Sequence, residues 1–484
     1  MTKYEPTIGL EIHSELLTKT KMFCGCLNDE TELTANKNIC PVCMAHPGAL
    51  PVANKQAIDL VIKTGLALNC EINTHSKFDR KNYFYPDLPK AYQISQYDLP
   101  LCKNGHITLP ESKKRIGITR IHLEEDTAKL AHAADGKHSL VDFNRAGIPL
   151  MELVTEPDFH SAQEVIEFAQ EFQLLLRYLG ASDADMEKGH LRFEANISVA
   201  PQGSEKLGTK VEVKNLNSFQ AVYKAIEYEI KRHTELLEAG KGNEIIQETR
   251  GWNEGAQQTF SQRSKEDAHD YRYFPEPDLP PMEFTGAYIE AIRAHITELP
   301  AGRRERLSQE YNISPKQAEL LVRDMFLCEF FEEAVSELRA LQPKGNIETV
   351  YNYITSDLQG IQKDTGILIT ESKIKPAHIA QIVALLGENK ISSRVAKDIL
   401  RESFDSGVSP QDTVKEKGLE QVSDESALQK IITEVIAQNA KVVEEYKKGK
   451  ITVLQFLVGQ VMAKTKGAAN PGIVRTMLEK ELNS

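Results

Sequence analysis

The sequence predicts an α/β (α+β) fold in which a sheet-rich domain is followed by two all-α domains. Up to about residue 290, short segments alternate apolar and polar residues between Pro, Gly, Asn and Asp, and such alternation is typical of strands. After Leu299 and Pro300 the apolar residues repeat with helical spacing. A chain of 484 residues is also long enough for about three domains. We therefore expect a largely antiparallel or mixed sheet in residues 1–293, a helical domain at 294–408 and a helical tail domain at 409–484.

The clearest strands are expected at residues 7–13 and 191–199. In the first, Glu11 and His13 share one face, because successive side chains of a strand point to opposite faces. In the second, the alternate positions form a polar wall, and the run 214–218 follows it. The members of this wall are Arg192, Glu194, Asn196 and Ser198.

Two helices are expected to interrupt these strands. One begins after Ser161, which forms a capping box with Glu164, and ends at Gly180. The other runs roughly over 219–237 and stops at Gly240.

The carboxyl-terminal segment is expected to be a small helical module with a basic surface. Turn-forming residues at 406–410 mark its start. From Lys441 onward, eight Lys or Arg residues stand against four Glu, inside a protein whose net charge is −12. A local basic face is enough to neutralise nucleic-acid phosphates even in an acidic chain.

Neither a membrane-spanning segment nor a signal peptide is expected. No stretch approaches the roughly 18 consecutive apolar residues of a membrane helix, and residues 1–6 lack a basic and then apolar run. We therefore expect a cytoplasmic protein without a membrane partner, in a reducing compartment.

Four of the seven cysteines lie between positions 24 and 43 and form two close pairs. Cys24 pairs with Cys26, and Cys40 pairs with Cys43. Such a set can bind one Zn²⁺ through four thiolates, and the site is structural because no coordination position stays open. The alternative is four free cysteines in a reduced loop.

Acidic residues at strand positions are candidate ligands for Mg²⁺. Glu11 and His13 share a strand face, three acids follow one another at 124–126, and Glu152 stands alone in an apolar run. Carboxylates and an imidazole from separate strands suit Mg²⁺ and the phosphates that it carries. A solvated sheet face explains the same pattern.

Basic and aromatic residues interleave at 77–87 and again at 270–275. Such mixtures can stack bases and neutralise phosphates, or they can pin a loop to the core through its aromatic rings. The sequence contains no P-loop motif, so any nucleotide is bound in another way. Cys70, Cys102 and Cys328 are expected in the core.

The sequence resembles the GatB/GatE family over nearly its full length. Residues 454–460 resemble the tail module of that family, and no segment resembles the extra domain of the GatE branch, so we expect the GatB branch. The other matching runs are 9–13, 77–87, 91–96, 120–126, 142–150, 194–198, 212–219 and 270–278.

This resemblance implies a cradle domain, then a helical domain and a tail that grip the tRNA elbow. In the family, the cradle uses ATP and Mg²⁺ to phosphorylate the side-chain carboxylate of Glu or Asp mischarged on tRNA-Gln or tRNA-Asn. Ammonia from a partner amidase then displaces the phosphate. The implied partners are the amidase (the A subunit), a small C subunit and the mischarged tRNA, with the cognate aminoacyl-tRNA synthetase as a further candidate.

Carried over residue by residue, the resemblance implies a catalytic and magnesium-binding set of Glu11, His13, Glu125 and Glu152. Glu124 replaces Glu125 if the register differs by one residue. The four cysteines fall where many family members hold zinc. The implied candidates for the nucleotide and substrate pocket are Lys81, Tyr85, Arg192, Asn196, Ser198 and Lys214.

The resemblance predicts a ligase that is active as part of a complex, and two other functions stay open. A non-catalytic, zinc-stabilised scaffold that binds tRNA would keep the basic tail and tolerate loss of the acidic residues. A self-sufficient phosphoryl or nucleotidyl transferase would be active without a partner.

Overall fold

The structure is a computed structural model that describes residues 3–133, 135–264, 271–419, 425–465, 469 and 471–483. It contains two compact units, Met1–Arg303 and Arg304–Ser484. The first is built on a mixed sheet and the second is helical, which confirms the predicted fold class. The division into three domains at residues 293 and 408 stays a prediction.

Strands are confined to the first unit within the described residues. They are β1 (Tyr4–Glu15), β2 (Glu71–Ile72), β3 (His75–Ser76), β4 (Asp79–Asn82), β5 (Tyr92–Ser95), β6 (Cys102–Thr108), β7 (Arg115–Glu125), β8 (Lys129–His132), β9 (Ser139–Asp142), β10 (Pro149–Thr155), β11 (Leu191–Pro201), β12 (Val211–Leu216), β13 (Glu248–Asn253), β14 (Gln258–Ser264), β15 (Phe274–Pro275) and β16 (Met282–Glu283).

Helices occur in both units. They are α1 (Lys55–Ala67), α2 (Ala162–Leu179), α3 (Phe219–Glu238), α4 (Gly286–Arg293), α5 (Pro300–Tyr311), α6 (Pro315–Arg323), α7 (Met325–Leu341), α8 (Ile347–Asn352), α9 (Gln359–Thr365), α10 (Pro376–Gly387), α11 (Ser393–Ser406), α12 (Pro410–Lys417), α13 (Glu425–Gln438), α14 (Ala440–Lys447), α15 (Leu454–Lys464) and α16 (Pro471–Asn483).

The main sheet has nine strands in the order β14-β13-β12-β11-β1-β10-β7-β6-β2. Its neighbours are antiparallel except for the parallel pair β12 and β13. Three small sheets accompany it, β15-β4-β5, β16-β3 and β8-β9. The predicted strands at 7–13 and 191–199 are the adjacent central strands β1 and β11, so the polar faces expected for each lie side by side.

The core face of the sheet is covered by helices. Ile8, Leu10 and Ile12 of β1 are buried in one cluster with Val165 and Phe168 of α2. The alternation of β1 therefore sends Glu11 and His13 to the opposite face, away from this core. Cys70 and Cys102 are buried in the same cluster, as expected.

Helices α2 and α3 form where the sequence predicts them. Ser161 caps α2 by accepting a hydrogen bond from the Glu164 N–H at 3.2 Å, and Gly180 ends it with a φ of 64°. The Glu164 carboxylate accepts from the His160 N–H at 2.8 Å, so the reciprocal bond of the capping box goes to the residue before the cap. Helix α3 begins at the predicted residue and ends one residue later than expected.

The second unit contains a separate apolar cluster near the end of the chain. Leu428 and Ile432 of α13 pack with Leu457 of α15 and Leu478 of α16, and all four are fully buried. Cys328 is buried on α7. Within the described ranges, no helix is both long and apolar enough to cross a membrane.

Candidate active site and metal centres

The register of three central strands assembles a cluster of imidazoles and carboxylates. His13 on β1 lies opposite Glu152 on β10, and Glu152 lies opposite His122 on β7. Glu124, two residues beyond His122, shares the same face. The Nε2 atom of His13 lies 3.4 Å from a Glu152 oxygen and 3.5 Å from a Glu124 oxygen. His122 Nε2 lies 3.4 Å and 3.7 Å from the same two carboxylates.

A second group of possible ligands shares His13. Glu11, two residues earlier on β1, lies opposite Glu194 on β11. The ligand atoms of Glu11, His13 and Glu194 lie within 4.8 Å of one another, and so do those of His13, Glu124 and Glu152. His13 therefore stands between two carboxylate pairs.

The environment keeps two of these carboxylates ionised. Burial opposes ionisation, but His122 and His13 outweigh it, so the pKa of Glu152 is lowered to about 2 and that of Glu124 falls well below its usual range. Burial likewise lowers the pKa of His13, but bonds to Glu124 and Glu152 raise it well above its usual range. Ionised carboxylates form a donor set that suits a hard divalent cation such as Mg²⁺.

Glu11 and one buried oxygen also fit a bound cation. Burial and then the charges of Glu152 and Glu194 raise the pKa of Glu11 to about 7, so a bound cation would favour the charged form of this carboxyl group. Asn196 Oδ1, on the face of β11 that holds Glu194, is buried and has no donor among the described residues. A buried acceptor without a partner is costly, so the residues present fit a cation or a ligand at this face.

Cations line the rim of the cluster. Lys214 Nζ lies 2.6 Å from Glu194, and Arg120 Nη2 lies 3.6 Å from Glu152. The pKa of Lys81 is raised, because the charges of Glu124 and other neighbours outweigh burial. The mixture of fixed positive charge and carboxylates matches the needs of a phosphate carried by a metal ion.

Part of this cluster faces a cavity of about 780 Å³, whose lining includes Glu11, His122 and Glu152 but not His13, Glu124 or Glu194. It is called the active-site cavity below. Its lining consists of Glu11, Lys81, Gln96, Tyr97, Arg120, His122, Glu152, Lys210, Glu212, Lys214, Gln247, Glu248, Thr249, Gln262, Tyr271 and Tyr273. Four residues expected at the site from the sequence are among them, namely Glu11, Lys81, Glu152 and Lys214.

The structure places Glu124, and not Glu125, beside His13. Neighbouring residues of a strand point to opposite faces, and Glu125 accepts hydrogen bonds from Lys90 Nζ at 2.8 Å and from the Ile94 N–H at 3.0 Å. It lines a separate cavity of about 310 Å³ next to the cysteine loop. The structure therefore groups Glu124, and not Glu125, with His13 and Glu152, and the role of either residue as a metal ligand stays a prediction.

Other expected pocket residues lie outside the active-site cavity. Arg192 lies opposite His13 on β11, but its guanidinium donates to Asp126 at 2.7 Å. Ser198 is buried and donates to the Thr7 carbonyl at 3.4 Å. The side chain of Tyr85 is exposed to solvent.

His122 and Glu194 belong to the cluster but were not among the expected ligands. His122 lies two residues before Glu124 on β7, and Glu194 is a member of the polar wall expected on β11. Only the strand register shows that they face His13.

The four clustered cysteines converge as the spacing predicts. Their sulfur atoms lie within 4.8 Å of one another. The pKa of Cys43 is lowered to about 5, first by a hydrogen bond from Cys24, so a thiolate forms readily. Lys21 Nζ, on a buried side chain, lies 3.9 Å from Cys43 Sγ and donates to the Phe143 carbonyl at 3.0 Å. Four sulfur ligands beside a fixed positive charge fit a tetrahedral Zn²⁺.

Comparison with known proteins identifies the family. The model of the GatB/GatE catalytic domain matches residues 6–290, and the model of the GatB domain matches residues 329–482. The first match contains the whole active-site cavity.

Curated relatives match along almost the entire chain. The B subunit of an aspartyl/glutamyl-tRNA(Asn/Gln) amidotransferase from Carboxydothermus hydrogenoformans is 48% identical over 100% of this chain and 99% of the relative. The protein of the same name from Persephonella marina is 49% identical over 99% of this chain and 100% of the relative. The one from Picosynechococcus is 46% identical over 99% of this chain and 98% of the relative. The chain therefore belongs to the GatB/GatE family.

Proposed function

We propose that this chain is the B subunit of a tRNA-dependent amidotransferase and carries its ATP-dependent phosphorylation site. The observation that carries the proposal is the cluster of His13, Glu124 and Glu152. Its member Glu152 lines a cavity that Lys81 and Lys214 also line. The names of the curated relatives support it. The substrates are ATP and a tRNA mischarged with Glu or Asp.

The proposed reaction has two steps. An oxygen of the substrate carboxylate attacks the γ-phosphorus of ATP, the bond to the β-phosphate oxygen breaks, and ADP leaves. Ammonia then attacks the carbonyl carbon of the acyl phosphate, phosphate leaves with the bonding pair, and loss of a proton gives the amide. A free carboxylate is a poor acyl donor, so the first step supplies the leaving group that the second needs.

The chain's own residues position these groups. Glu124 and Glu152, with Glu11 and Glu194 beside them, would hold Mg²⁺, and His13 would join them as a ligand only after the cation displaces its imidazole proton. When bound, Mg²⁺ offsets charge on the transferring phosphoryl group. Lys81, Lys214 and Arg120 line the active-site cavity and would hold phosphate oxygens. The described part of the cavity presents no glycine-rich phosphate loop, so side chains take over that task.

We further propose a structural Zn²⁺ held by Cys24, Cys26, Cys40 and Cys43. The loop that carries them is already fixed to the segment before β10. The Asn144 side-chain oxygen accepts from the N–H groups of Lys37 and Asn38, each at 2.9 Å. A closed four-thiolate site adds a second clamp to this loop and takes no part in catalysis.

The partners follow from the same proposal. The relatives are named as one subunit of an amidotransferase, so ammonia would come from a separate amidase, the A subunit, and a small C subunit would complete the heterotrimer. The helical tail, with its basic surplus, contacts the tRNA. The cognate aminoacyl-tRNA synthetase is a further candidate partner, and the cytoplasm is the proposed compartment.

The test uses the chain co-purified with its amidase partner, mischarged Glu-tRNA-Gln, glutamine and Mg-ATP. The proposal predicts ADP and Gln-tRNA together, and loss of both in Glu152→Gln. Glu235→Gln is the matched control, because Glu235 lies on the exposed face of α3 with Lys231 at 3.8 Å. If tRNA binds and ADP never forms in the wild type, the chain is a non-catalytic scaffold. If the chain forms product alone, it is a self-sufficient transferase.

A further inference from the structure

Three tyrosine rings form a continuous aromatic surface in the lining of the active-site cavity. The rings of Tyr97 and Tyr273 are stacked, with centroids 4.4 Å apart and planes 11° from parallel. Tyr271 meets Tyr273 edge to face at 6.1 Å. This set of Tyr97, Tyr271 and Tyr273 is called the tyrosine platform.

The outer ring of the platform is open to solvent. Tyr97 is 61% exposed although it lies in a stacked pair. Aromatic rings that serve the core are covered, as in the edge-to-face pair of Phe23 and Phe78, which are 4% and 2% exposed. Tyr97 therefore contributes little apolar burial to folding, and its free face remains available to a ligand.

The backbone around the platform is held in place by buried groups. The N–H of Tyr97 donates to Asp79 Oδ2 at 3.0 Å, and Asp79 is 1% exposed. Arg272, which lies between Tyr271 and Tyr273 in the chain, has a φ of +43°, a value that residues other than glycine rarely adopt. Asn82 holds this segment by donating from its side chain to the carbonyls of Tyr271 at 3.2 Å and Arg272 at 2.8 Å. Strained backbone that persists in this way is concentrated at functional sites.

Positive charge adjoins the platform. Lys81 Nζ lies 5.0 Å from the centre of the Tyr271 ring, and Arg120 and Lys214 line the same cavity. Flat aromatic surfaces beside cations are the combination that binds a nucleotide, because the base stacks on the ring and the phosphates meet the charges.

We propose that the exposed face of Tyr97, backed by Tyr273, is the subsite that stacks an adenine ring. The inference rests on the proposed function and deepens it, since adenine is the base shared by ATP and by the 3′-terminal adenosine of tRNA. Both sources bring the same ring to the same surface, and the experiment separates them.

The experiment compares Tyr97→Ala with Tyr97→Phe in the complex co-purified with the amidase partner. Two constants are determined from the rate of ADP formation. One is the KM for ATP, and the other is the KM for mischarged tRNA. Loss of one stacked base costs about 1–3 kcal/mol, which corresponds to an increase of roughly 5- to 150-fold in one KM. Tyr97→Phe keeps the ring and stays within about twofold of the wild type. Tyr223→Ala, at an exposed position of α3 outside the cavity, is the control.

Each outcome decides one point. An increase in the KM for ATP alone assigns the subsite to ATP, and an increase for tRNA alone assigns it to the tRNA terminus. Both constants within about twofold of the wild type in Tyr97→Ala overturn the inference. The equilibrium dissociation constants for ATP and for tRNA are also measured on the same complexes, because they need no turnover. If the wild type forms no ADP, the proposed function is refuted, and these dissociation constants still test the subsite.

Discussion

Replacing Glu229 with Gln should destabilise the edge of the main sheet. Glu229, on α3, is fully buried and accepts hydrogen bonds from Arg232 at 2.7 Å and from Thr259 of β14. Arg250 of β13 lies 3.2 Å from the same carboxylate, and His233 lies 3.3 Å from it. One charge on α3 therefore contacts both the edge strand β14 and its neighbour β13.

The expected loss follows from the electrostatics of this network. Burial raises the pKa of Glu229, but hydrogen bonds from His233, Arg232 and Thr259 lower it from its usual value near 4.5 to about 2. At roughly 1.4 kcal/mol for each pH unit, the charged form is stabilised by about 3 kcal/mol in the folded state. Because the folded-state pKa is the lower one, this stabilisation is complete above about pH 5 and is lost as the pH falls towards 2. Glu229→Gln removes it at neutral pH.

The assay is urea denaturation followed by tryptophan fluorescence. The chain has one tryptophan, Trp252, and it lies on β13 two residues from Arg250. Its emission therefore reports on the edge that the network holds. Glu235→Gln is the control, because its exposed ion pair is worth at most about 1 kcal/mol.

A free energy of unfolding for Glu229→Gln within about 0.5 kcal/mol of the wild-type value at pH 7 would contradict this expectation. A parallel loss of stability in both proteins between pH 5 and pH 2 would also contradict it, because the variant lacks the group whose titration causes the loss. The same substitution should also affect function. Glu248 and Thr249 of β13 line the active-site cavity, so ATP turnover should be lost at a lower urea concentration in Glu229→Gln than in the wild type.

Three further predictions concern the metals and the tail. Cys43→Ser should lower the zinc content, measured by mass spectrometry, from about one ion per chain to near zero, and Cys328→Ser should retain it. Because burial and neighbouring carboxylates raise the pKa of Glu11 to about 7, protons compete with Mg²⁺, and calorimetry should show at least about tenfold tighter binding at pH 8 than at pH 6. Replacing Lys447 and Lys448 with Ala should weaken tRNA binding and make it less dependent on salt. The slope of the logarithm of the binding constant against the logarithm of the salt concentration should decrease by roughly 0.7–0.9 for each phosphate that is no longer neutralised. An unchanged slope would show that the tRNA binds elsewhere.

Patterns within one element were predictable from the sequence. Alternation along β1 correctly separates the core residue Leu10 from His13, and the cap at Ser161 correctly starts α2. The spacing of Cys40 and Cys43 likewise brings their sulfurs within reach of the first cysteine pair. Each of these predictions depends on geometry over a few residues, which the local sequence determines.

Relations between strands were not predictable. The choice between Glu124 and Glu125 depends on how β7 pairs with β10, and a slip of one residue moves every side chain to the other face. His122 and Glu194 enter the cluster for the same reason. Arg192 lies on the strand face where the polar wall was expected, but its guanidinium pairs with Asp126, which is 66 residues away in the chain.

The most direct test of the proposed active site compares Glu124→Gln with Glu125→Gln. Binding of Mn²⁺, a paramagnetic substitute for Mg²⁺, is measured by electron paramagnetic resonance in the co-purified complex, together with ADP formation on mischarged tRNA. The placement of Glu124 beside His13 and Glu152 predicts that Glu124→Gln loses both the bound Mn²⁺ and ADP formation. Glu125→Gln, which alters the separate contacts with Lys90 and Ile94, should keep Mn²⁺ binding. Loss of Mn²⁺ from Glu125→Gln with retention in Glu124→Gln would contradict the account.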